Sequence, residues 1–288
     1  MVVSFKRVSI LGLGLIGTSW GLGLKRQRFA GRVVGCDRPD ILSRALARGA
    51  IDESVKDPGQ AVKDADLVIL ATPVGAILDL LTRLNESIPP RALVTDVGST
   101  KRLICRQARD AFGEKPLFLG GHPLAGLETS GVAKARDTLF DGARYVLTPE
   151  KPEHLADPRV MAFCSLVAGL GARVVLSDPE AHDRILAYLS HLPQLLSTGL
   201  ASLAEEQLDE VPLVLSFAAS GFRDLTRLAE SPYPMWRDIC LTNSDNIQVA
   251  LESMLQRLQD MKLHLRDRDL ERDFERGSLL RQRLRRVE

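Results

Sequence analysis

The sequence predicts an α/β domain at residues 1–177, built on a mostly parallel, doubly wound sheet, followed by an all-helical domain at residues 178–288. Short apolar segments rich in β-branched residues alternate with helical patterns as far as Leu176. This alternation is typical of a parallel sheet with helices on both faces. The first of these segments runs directly into a glycine-rich turn. Beyond Pro179 the strand-like segments stop, and apolar residues recur at helical spacing.

The glycine-rich turn has the spacing G-x-G-x-x-G, formed by Gly12, Gly14 and Gly17. Between a strand and a helix, the first glycine permits a tight turn and the second lets the backbone approach a pyrophosphate. The third lets the helix pack closely against the sheet. The amide groups and the dipole at the helix N-terminus attract the phosphates. The motif therefore predicts a Rossmann-like dinucleotide-binding domain, with an ordinary glycine turn as the alternative.

The end of the second predicted strand indicates which dinucleotide binds. Asp37 stands there, where a carboxylate accepts hydrogen bonds from the ribose hydroxyls and repels a 2′-phosphate. NAD is therefore predicted in preference to NADP, although the neighbouring Arg38 could pair with that phosphate. A third strand ends at Thr72 and Pro73, at the same ligand-binding edge. The residues expected to contact NAD are Gly12, Gly14, Leu15, Ile16, Gly17, Asp37, Arg38, Thr72 and Pro73.

Composition excludes several classes of partner. The 288 residues carry a formal net charge of +1, so no overall charge favours nucleic acid. The tail at residues 266–288 mixes both signs of charge and is expected to be a solvated helical end. With no signal peptide pattern and no apolar run long enough for a membrane, we expect a cytoplasmic protein without a membrane partner. No metal-ligand spacing occurs among the cysteines, which are Cys36, Cys105, Cys164 and Cys240.

Two polar residues at strand ends are candidates for catalysis. His122 follows two glycines and precedes a proline, which predicts an exposed turn at the ligand edge of the sheet. A neutral imidazole there can accept a hydroxyl proton as a hydride leaves the same carbon; the alternative is a loop histidine bonded to backbone. Ser99 could hydrogen-bond that hydroxyl or simply cap the following helix. His154 and His182 are interpreted as surface residues.

The helical domain offers carboxylate-binding groups and a dimerisation surface. Arg223 and Arg227 could bind a substrate carboxylate through two hydrogen bonds or form surface or interface salt bridges. Apolar residues from Ile247 to Leu265 form one stripe along a long helix. A small helical domain with such a stripe predicts a homodimer. Helices are expected at residues 180–203, 211–229, 235–241 and 243–270.

Several motifs occur in the same order as in a known enzyme family. They are the glycine motif at residues 12–17, DVGSTK at 96–101, GGHPLAG at 120–126, SHLP at 190–193, and GFRDLTR at 221–227 followed by MWRD at 235–238. Together they resemble the prephenate/arogenate dehydrogenases of tyrosine biosynthesis, over a span from about Lys6 to Leu270. The GGHPLAG and FRDLTR stretches are specific to that family, whereas the glycine motif is widespread.

The resemblance implies an NAD-dependent oxidative decarboxylation of a small-molecule substrate, prephenate or arogenate. A hydride leaves the ring carbon that carries the 4-hydroxyl, and the ring carboxylate departs as carbon dioxide. By motif, His122 is the hydrogen-bond acceptor or base at the 4-hydroxyl, and Ser99 contacts both that hydroxyl and His122. Arg227 binds a substrate carboxylate. The residues implied to line the substrate pocket are Ser190, His191 and Gly221.

One position departs from the family pattern. Many relatives read His-Leu-Pro-His, whereas this chain has Gln194 as the fourth residue. The family pattern implies Asp183 as its neighbour. A neutral amide beside an aspartate suits the ammonium of arogenate better than a cationic histidine would, so both substrates stay open.

Two other functions compete with this interpretation. A β-hydroxyacid dehydrogenase shares the fold plan but usually relies on a lysine in its helical domain, and none stands near Ser190 or Phe222. A non-catalytic, NAD-sensing dimer is the other alternative. The presence of Ser99, His122 and Arg227 together argues against it.

Overall fold

The computed structural model describes residues 4–126, 131–207, 214–266 and 268–286. Within them, eight strands form one sheet in the order β3-β2-β1-β4-β5-β6-β7-β8. All neighbouring strands are parallel except β6 and β7, which are antiparallel. The predicted mostly parallel, doubly wound sheet is thus confirmed. The strands are β1 Arg7–Leu11, β2 Arg32–Cys36, β3 Glu53–Val55, β4 Leu67–Leu70, β5 Leu93–Asp96, β6 Leu117–Pro123, β7 Arg144–Thr148 and β8 Arg173–Leu176.

Helices cover both faces of this sheet, and the chain is helical after β8. Those that accompany the strands are α1 Leu15–Arg26, α2 Pro39–Ala47, α3 Pro58–Val62, α4 Val74–Arg83, α5 Arg102–Phe112 and α6 Pro158–Gly169. Those after β8 are α7 Pro179–Leu186, α8 Leu192–Glu206, α9 Ser220–Thr226, α10 Tyr233–Thr242, α11 Ser244–Leu263 and α12 Glu271–Arg285. None of the helices in the described segments is long and apolar enough to cross a membrane.

The central strands are buried on both faces, as parallel strands usually are. On one face, the Trp20 ring of α1 stacks on Phe163 of α6, with ring centroids 5.7 Å apart, and meets Tyr145 of β7 edge-on at 6.0 Å. On the other face, Val68 packs in a cluster with Ile77 and other apolar residues of α4 and α5. These two layers hold the sheet rigid, so that groups at the ends of its strands have fixed positions.

The predicted helices after β8 are interrupted more often than the apolar pattern indicated. The helix expected at residues 180–203 is broken by a π-helical turn at Ala187–His191. Pro193 explains this break, because its ring has no N–H and clashes with the preceding turn of a regular helix. The start of the helix expected at residues 211–229 lies outside the described residues, and the helix expected at 243–270 ends at Leu263.

The parallel strands β1, β4, β5 and β6 bring their carboxyl ends to one edge of the sheet. Gly12, Thr72 and Ser99 follow three of these ends. His122 lies inside β6, in register with Val146 of β7, so the predicted exposed turn is wrong at this residue. The antiparallel pairing with β7 continues the strand past the glycines and leaves the imidazole half-buried.

Candidate active site

Gly12, the first residue of the glycine motif, lines a cleft of about 450 Å³ at the carboxyl edge of the sheet. Gly12 has φ +93°, and a Cβ there would lie 2.6 Å from the Ala71 carbonyl, so only glycine fits. A Cβ at Gly17 would lie 1.9 Å from the Gly12 carbonyl oxygen, whereas one at Gly14 would meet no atom within 4 Å. The turn is therefore tight at its ends and open at its centre, where a ligand can approach the backbone.

Helix α1 begins at this open position. Its N-cap is Gly14, no side chain caps it, and its first turn contains no acidic residue. The amide groups of Leu15 and Ile16 therefore belong to a helix terminus that attracts an anion. Such a terminus, beside a cleft, fits the pyrophosphate of a dinucleotide.

Other groups in the cleft fit the rest of a dinucleotide. The Asp37 carboxylate accepts hydrogen bonds from the backbone N–H groups of Leu13 and Arg38, each at 2.7 Å. The Arg38 side chain is exposed and lies 3.9 Å from Asp40, so an acidic group already competes for it. The Thr72 hydroxyl lines the same cleft, and it is buried without a hydrogen-bond partner among the described residues. A buried hydroxyl normally has a partner, and a bound ligand would supply it. Pro73 follows as the N-cap residue of α4.

A buried carboxylate joins the turn that carries Ser99 to the strand that carries His122. Asp96, at the end of β5, is fully buried. One of its oxygens accepts from the Gly98 N–H at 2.8 Å and contacts the Lys101 ammonium, while the other accepts from the Gly121 N–H at 3.0 Å. The sequence pattern did not indicate this role for Asp96 and Lys101. The opposite charges of Asp96 and Lys101, close together after an apolar strand, are the sequence signal that could have indicated it.

A second buried carboxylate comes from α7. Asp183 accepts hydrogen bonds from the backbone N–H groups of Lys101 at 2.7 Å and Arg102 at 3.0 Å. It therefore caps α5, which begins at Arg102. The alternative that Ser99 caps this helix is wrong, because the N-cap residue is Lys101 and the turn before it is held by Asp96. Ser99 is half-buried in that turn, and no hydrogen bond in the described part of the chain joins its hydroxyl to His122.

His122 is linked to the same carboxylate through a second histidine. Its Nδ1 lies 2.9 Å from Nε2 of His182, and Nδ1 of His182 lies 2.7 Å from Oδ1 of Asp183. The interpretation of His182 as a surface residue is wrong, since it is 3% exposed. Burial, together with the nearby ammonium of Lys101, lowers the pKa of His122 well below its usual value. His122 is therefore neutral near pH 7 and can accept a proton.

His191 and Ser190 lie in the π-helical turn on the other side of Asp183. His191 is 1% exposed, and its Nδ1 lies 3.1 Å from the amide nitrogen of Asn243, which also donates to the Asp183 carbonyl. Burial lowers the pKa of His191 to about 4, so it is neutral as well. Its ring meets Trp236 edge-on at 6.0 Å, and Ser190 beside it is half-buried.

The structure places Gln194 differently from the expectation. Its amide nitrogen donates to the Leu228 carbonyl at 2.7 Å and to the Thr198 hydroxyl at 3.2 Å. Asp183 is instead occupied by α5 and His182, so the expected contact between Gln194 and Asp183 is not formed. Gln194 connects α8 to the turn Arg227–Glu230, which carries Arg227 on its exposed side. Gly221 is exposed in the first turn of α9.

Comparison with known proteins agrees with this geometry. Residues 20–176 match the family model of the prephenate dehydrogenase nucleotide-binding domain, and residues 178–279 match that of the prephenate dehydrogenase dimerization domain. Prephenate dehydrogenase of Lactococcus lactis subsp. cremoris is 37% identical over 282 residues, which are 96% of this chain and 77% of the relative.

Two solved structures have the same fold over nearly the whole chain. The structure of Aquifex aeolicus prephenate dehydrogenase with hydroxyphenyl propionate and NAD+ has a TM-score of 0.88 and 30% identity, and the match covers 99% of this chain and 100% of the other. Synechocystis arogenate dehydrogenase has a TM-score of 0.76 and 30% identity, with 96% of each chain covered. The chain belongs to the prephenate dehydrogenase family.

Proposed function

We propose that this protein is an NAD-dependent dehydrogenase that oxidatively decarboxylates prephenate, arogenate or both in tyrosine biosynthesis. The observation that carries the proposal is a half-buried His122, hydrogen-bonded to His182, at the sheet edge where the cleft lined by Gly12 also opens. The relatives support it, since one is named a prephenate dehydrogenase, one an arogenate dehydrogenase, and one was crystallised with NAD+. Family membership also favours this activity over that of a β-hydroxyacid dehydrogenase.

The proposed chemistry assigns one task to each part of the site. The glycine turn, Asp37 and Thr72 hold NAD, which when bound accepts a hydride from the substrate carbon that bears the hydroxyl. His122 accepts the proton of that hydroxyl, and Ser99 orients it. Arg227 binds the ring carboxylate until it leaves as carbon dioxide. The residues proposed to line the substrate pocket are Ser190, His191, Gln194 and Gly221.

The proposed domain arrangement follows the change from sheet to helices. Residues 1–177 form the nucleotide-binding domain, and residues 178–288 form the domain for substrate binding and dimerisation. The four cysteines are free thiols, which fits a protein of the reducing cytoplasm.

The apolar stripe of α11 supports a homodimer. Ile247 and Ala250, at its N-terminal end, are buried against α8 and the π-helical turn within one subunit, so that part of the stripe is not available to a partner. Farther along α11, Leu255 and Leu258 are 57% and 45% exposed, and Leu265, just beyond the end of the helix, is 69% exposed. An apolar stripe that continues from the subunit core onto the surface in this way suits contact with a helix of a second subunit.

The first prediction tests the activity and the cofactor together. The purified protein should reduce NAD in the presence of prephenate or arogenate, and NAD should be used more efficiently than NADP. Asp37→Asn keeps an acceptor oxygen for the Leu13 N–H but removes the charge that repels a 2′-phosphate. Loss of a charge-assisted bond is worth about 1.5–3 kcal/mol, so the NAD to NADP ratio of kcat/KM should fall about 10- to 150-fold. The exposed Asp64→Asn is the matched control, and wild-type protein that prefers NADP would contradict the assignment.

The second prediction concerns His122. Removing a positioned proton acceptor typically lowers the rate ~10²–10⁴-fold, so His122→Asn should lose kcat to that extent while NAD affinity is kept. Because the pKa of His122 is lowered, the neutral, active form persists as pH falls through the ordinary histidine value of about 6.5. In a plot of kcat/KM against pH, the loss of activity on the acid side should therefore occur below that value. The control variant His264→Asn should leave the pH of this loss unchanged. A loss of activity that sets in above the ordinary histidine value would show that another group controls the rate.

The third prediction concerns substrate choice. Two acceptors occupy the amide nitrogen of Gln194, so its carbonyl oxygen is the group left to meet a substrate ammonium. Gln194→His should shift the ratio of specificity constants from arogenate toward prephenate. Arg227→Ala is the control, because both substrates carry the ring carboxylate; it should weaken both about equally, by roughly 10- to 150-fold. A ratio unaffected by Gln194→His would remove Gln194 from side-chain recognition.

The fourth prediction concerns assembly. Light scattering should show a dimer at micromolar concentration, and Leu258→Glu should dissociate it by placing a charge in the proposed apolar contact. Gln259→Glu adds the same charge at the adjacent exposed position of α11 and is the control. A compact wild-type monomer under these conditions would rule the homodimer out.

A further inference from the structure

His122, His182 and Asp183 form a hydrogen-bonded chain that the sequence did not indicate. The contacts are 2.9 Å between the two histidines and 2.7 Å between His182 and the carboxylate. His182 and Asp183 are 3% and 0% exposed, so water does not compete for these bonds. The chain runs from β6 to α7 and therefore joins the sheet to the helical part of the protein.

The direction of each hydrogen bond follows from the groups around Asp183. Its oxygens accept from the backbone N–H groups of Lys101 and Arg102, which can only donate. The carboxylate is thus an acceptor, and Nδ1 of His182 must donate to it. In a neutral His182 the other nitrogen, Nε2, then has no hydrogen and can only accept. With an uncharged His182, Nδ1 of His122 donates to it and Nε2 of His122 keeps its lone pair; a charged His182 would donate instead and leave the hydrogen of His122 on Nε2, which is the outcome that contradicts the proposal below.

We propose that His182, backed by Asp183, is a positioning residue that holds His122 in the Nδ1–H tautomer and so presents its Nε2 to the substrate hydroxyl. The inference rests on the proposed function, because it assigns the proton acceptor of that reaction to one atom. Catalytic histidines are commonly oriented by a carboxylate in this way. Here a second imidazole, that of His182, lies between His122 and the Asp183 carboxylate.

The arrangement helps His122 to accept the proton and then stabilises the positive charge that results. The substrate O–H bond breaks and an Nε2–H bond forms on His122, while the O–H electron pair moves into the carbon–oxygen bond. Two electrons leave the ring with the hydride, for which bound NAD would be the oxidant. The bond to the ring carboxylate then breaks, its electron pair enters the ring and makes it aromatic, and carbon dioxide leaves. His122 is then an imidazolium whose Nδ1–H still donates to His182, and the Asp183 carboxylate lies at the far end of the chain. Burial lowers the pKa of His122, so its charged form needs this stabilisation.

Two substitutions of His182 separate its contacts. Asparagine places an amide near the Nδ1 position, where it can still donate to Asp183 but does not reach His122. Glutamine places an amide oxygen near the Nε2 position, where it can accept from Nδ1 of His122. His182→Asn should therefore no longer fix His122 in the Nδ1–H tautomer, whereas His182→Gln should still fix it. His154→Asn, in the turn before α6, is the control.

The direct readout is ¹⁵N NMR of the imidazole rings in the full-length protein without ligands. The chain has five histidines, and the His122 signals are those that His122→Asn removes. Wild type and His182→Gln should show His122 protonated at Nδ1 and bare at Nε2 near pH 7, whereas His182→Asn should show a shift toward the Nε2–H form. Wild-type His122 protonated at Nε2 would overturn the proposal, whether or not the protein turns over prephenate.

Steady-state kinetics give the functional readout. His182→Asn should lower kcat about 10²-fold, the lower range for loss of acid–base catalysis, with little change in the KM for NAD. His182→Gln should recover kcat to within about tenfold of wild type. Equal losses in both variants with an unchanged His122 tautomer would reduce His182 to a packing role and overturn the proposal. Absence of wild-type turnover with either substrate would instead refute the proposed function and leave the NMR test of the tautomer intact.

Discussion

The site depends on the buried Asp96 carboxylate. Its two oxygens hold the Gly98 amide of one turn and the Gly121 amide of the neighbouring strand, so Ser99 and His122 are placed by one rigid group. Lys101 balances its charge, and neither side chain is exposed. A buried ion pair contributes little over an apolar pair, but removing one partner leaves an uncompensated charge that costs about 3–5 kcal/mol. The pair therefore specifies the geometry of the turn more than it stabilises the fold.

The helical part of the chain completes this geometry from the other side. Asp183 on α7 caps α5, and its backbone carbonyl receives the Asn243 amide at 2.8 Å, so α7 is tied both to the sheet domain and to the start of α11. Asp238 on α10 makes a similar contact, accepting from the Gly75 N–H at 2.9 Å in the first turn of α4. Helix N-termini beside the cofactor cleft are thus satisfied by carboxylates from the helical domain, which couples the position of one domain to the other.

Gln194 supports the turn that carries Arg227. Gln194 is held between Thr198 and the Leu228 carbonyl, and through that carbonyl it supports the turn carrying Arg227. An amide at this position therefore has a structural task besides any contact with substrate. A histidine ring in its place could keep a donor to the Leu228 carbonyl, so Gln194→His need not rebuild the turn.

The sequence by itself determined the features that depend on local patterns: the central strands, the glycine turn, the acid at the end of β2, and the presence of Ser99 and His122 at the carboxyl edge of the sheet. Each follows from the spacing of apolar residues or from a glycine at a position where the backbone admits no other residue. Short, partly exposed elements such as β3 were missed because they have no such pattern. Only the tertiary structure decided that Asp183 caps α5, that His182 is buried behind His122, and that Gln194 contacts Leu228. Those partners are far apart in the chain, and their hydrogen bonds exist only once α7 and α8 have packed against the edge of the sheet.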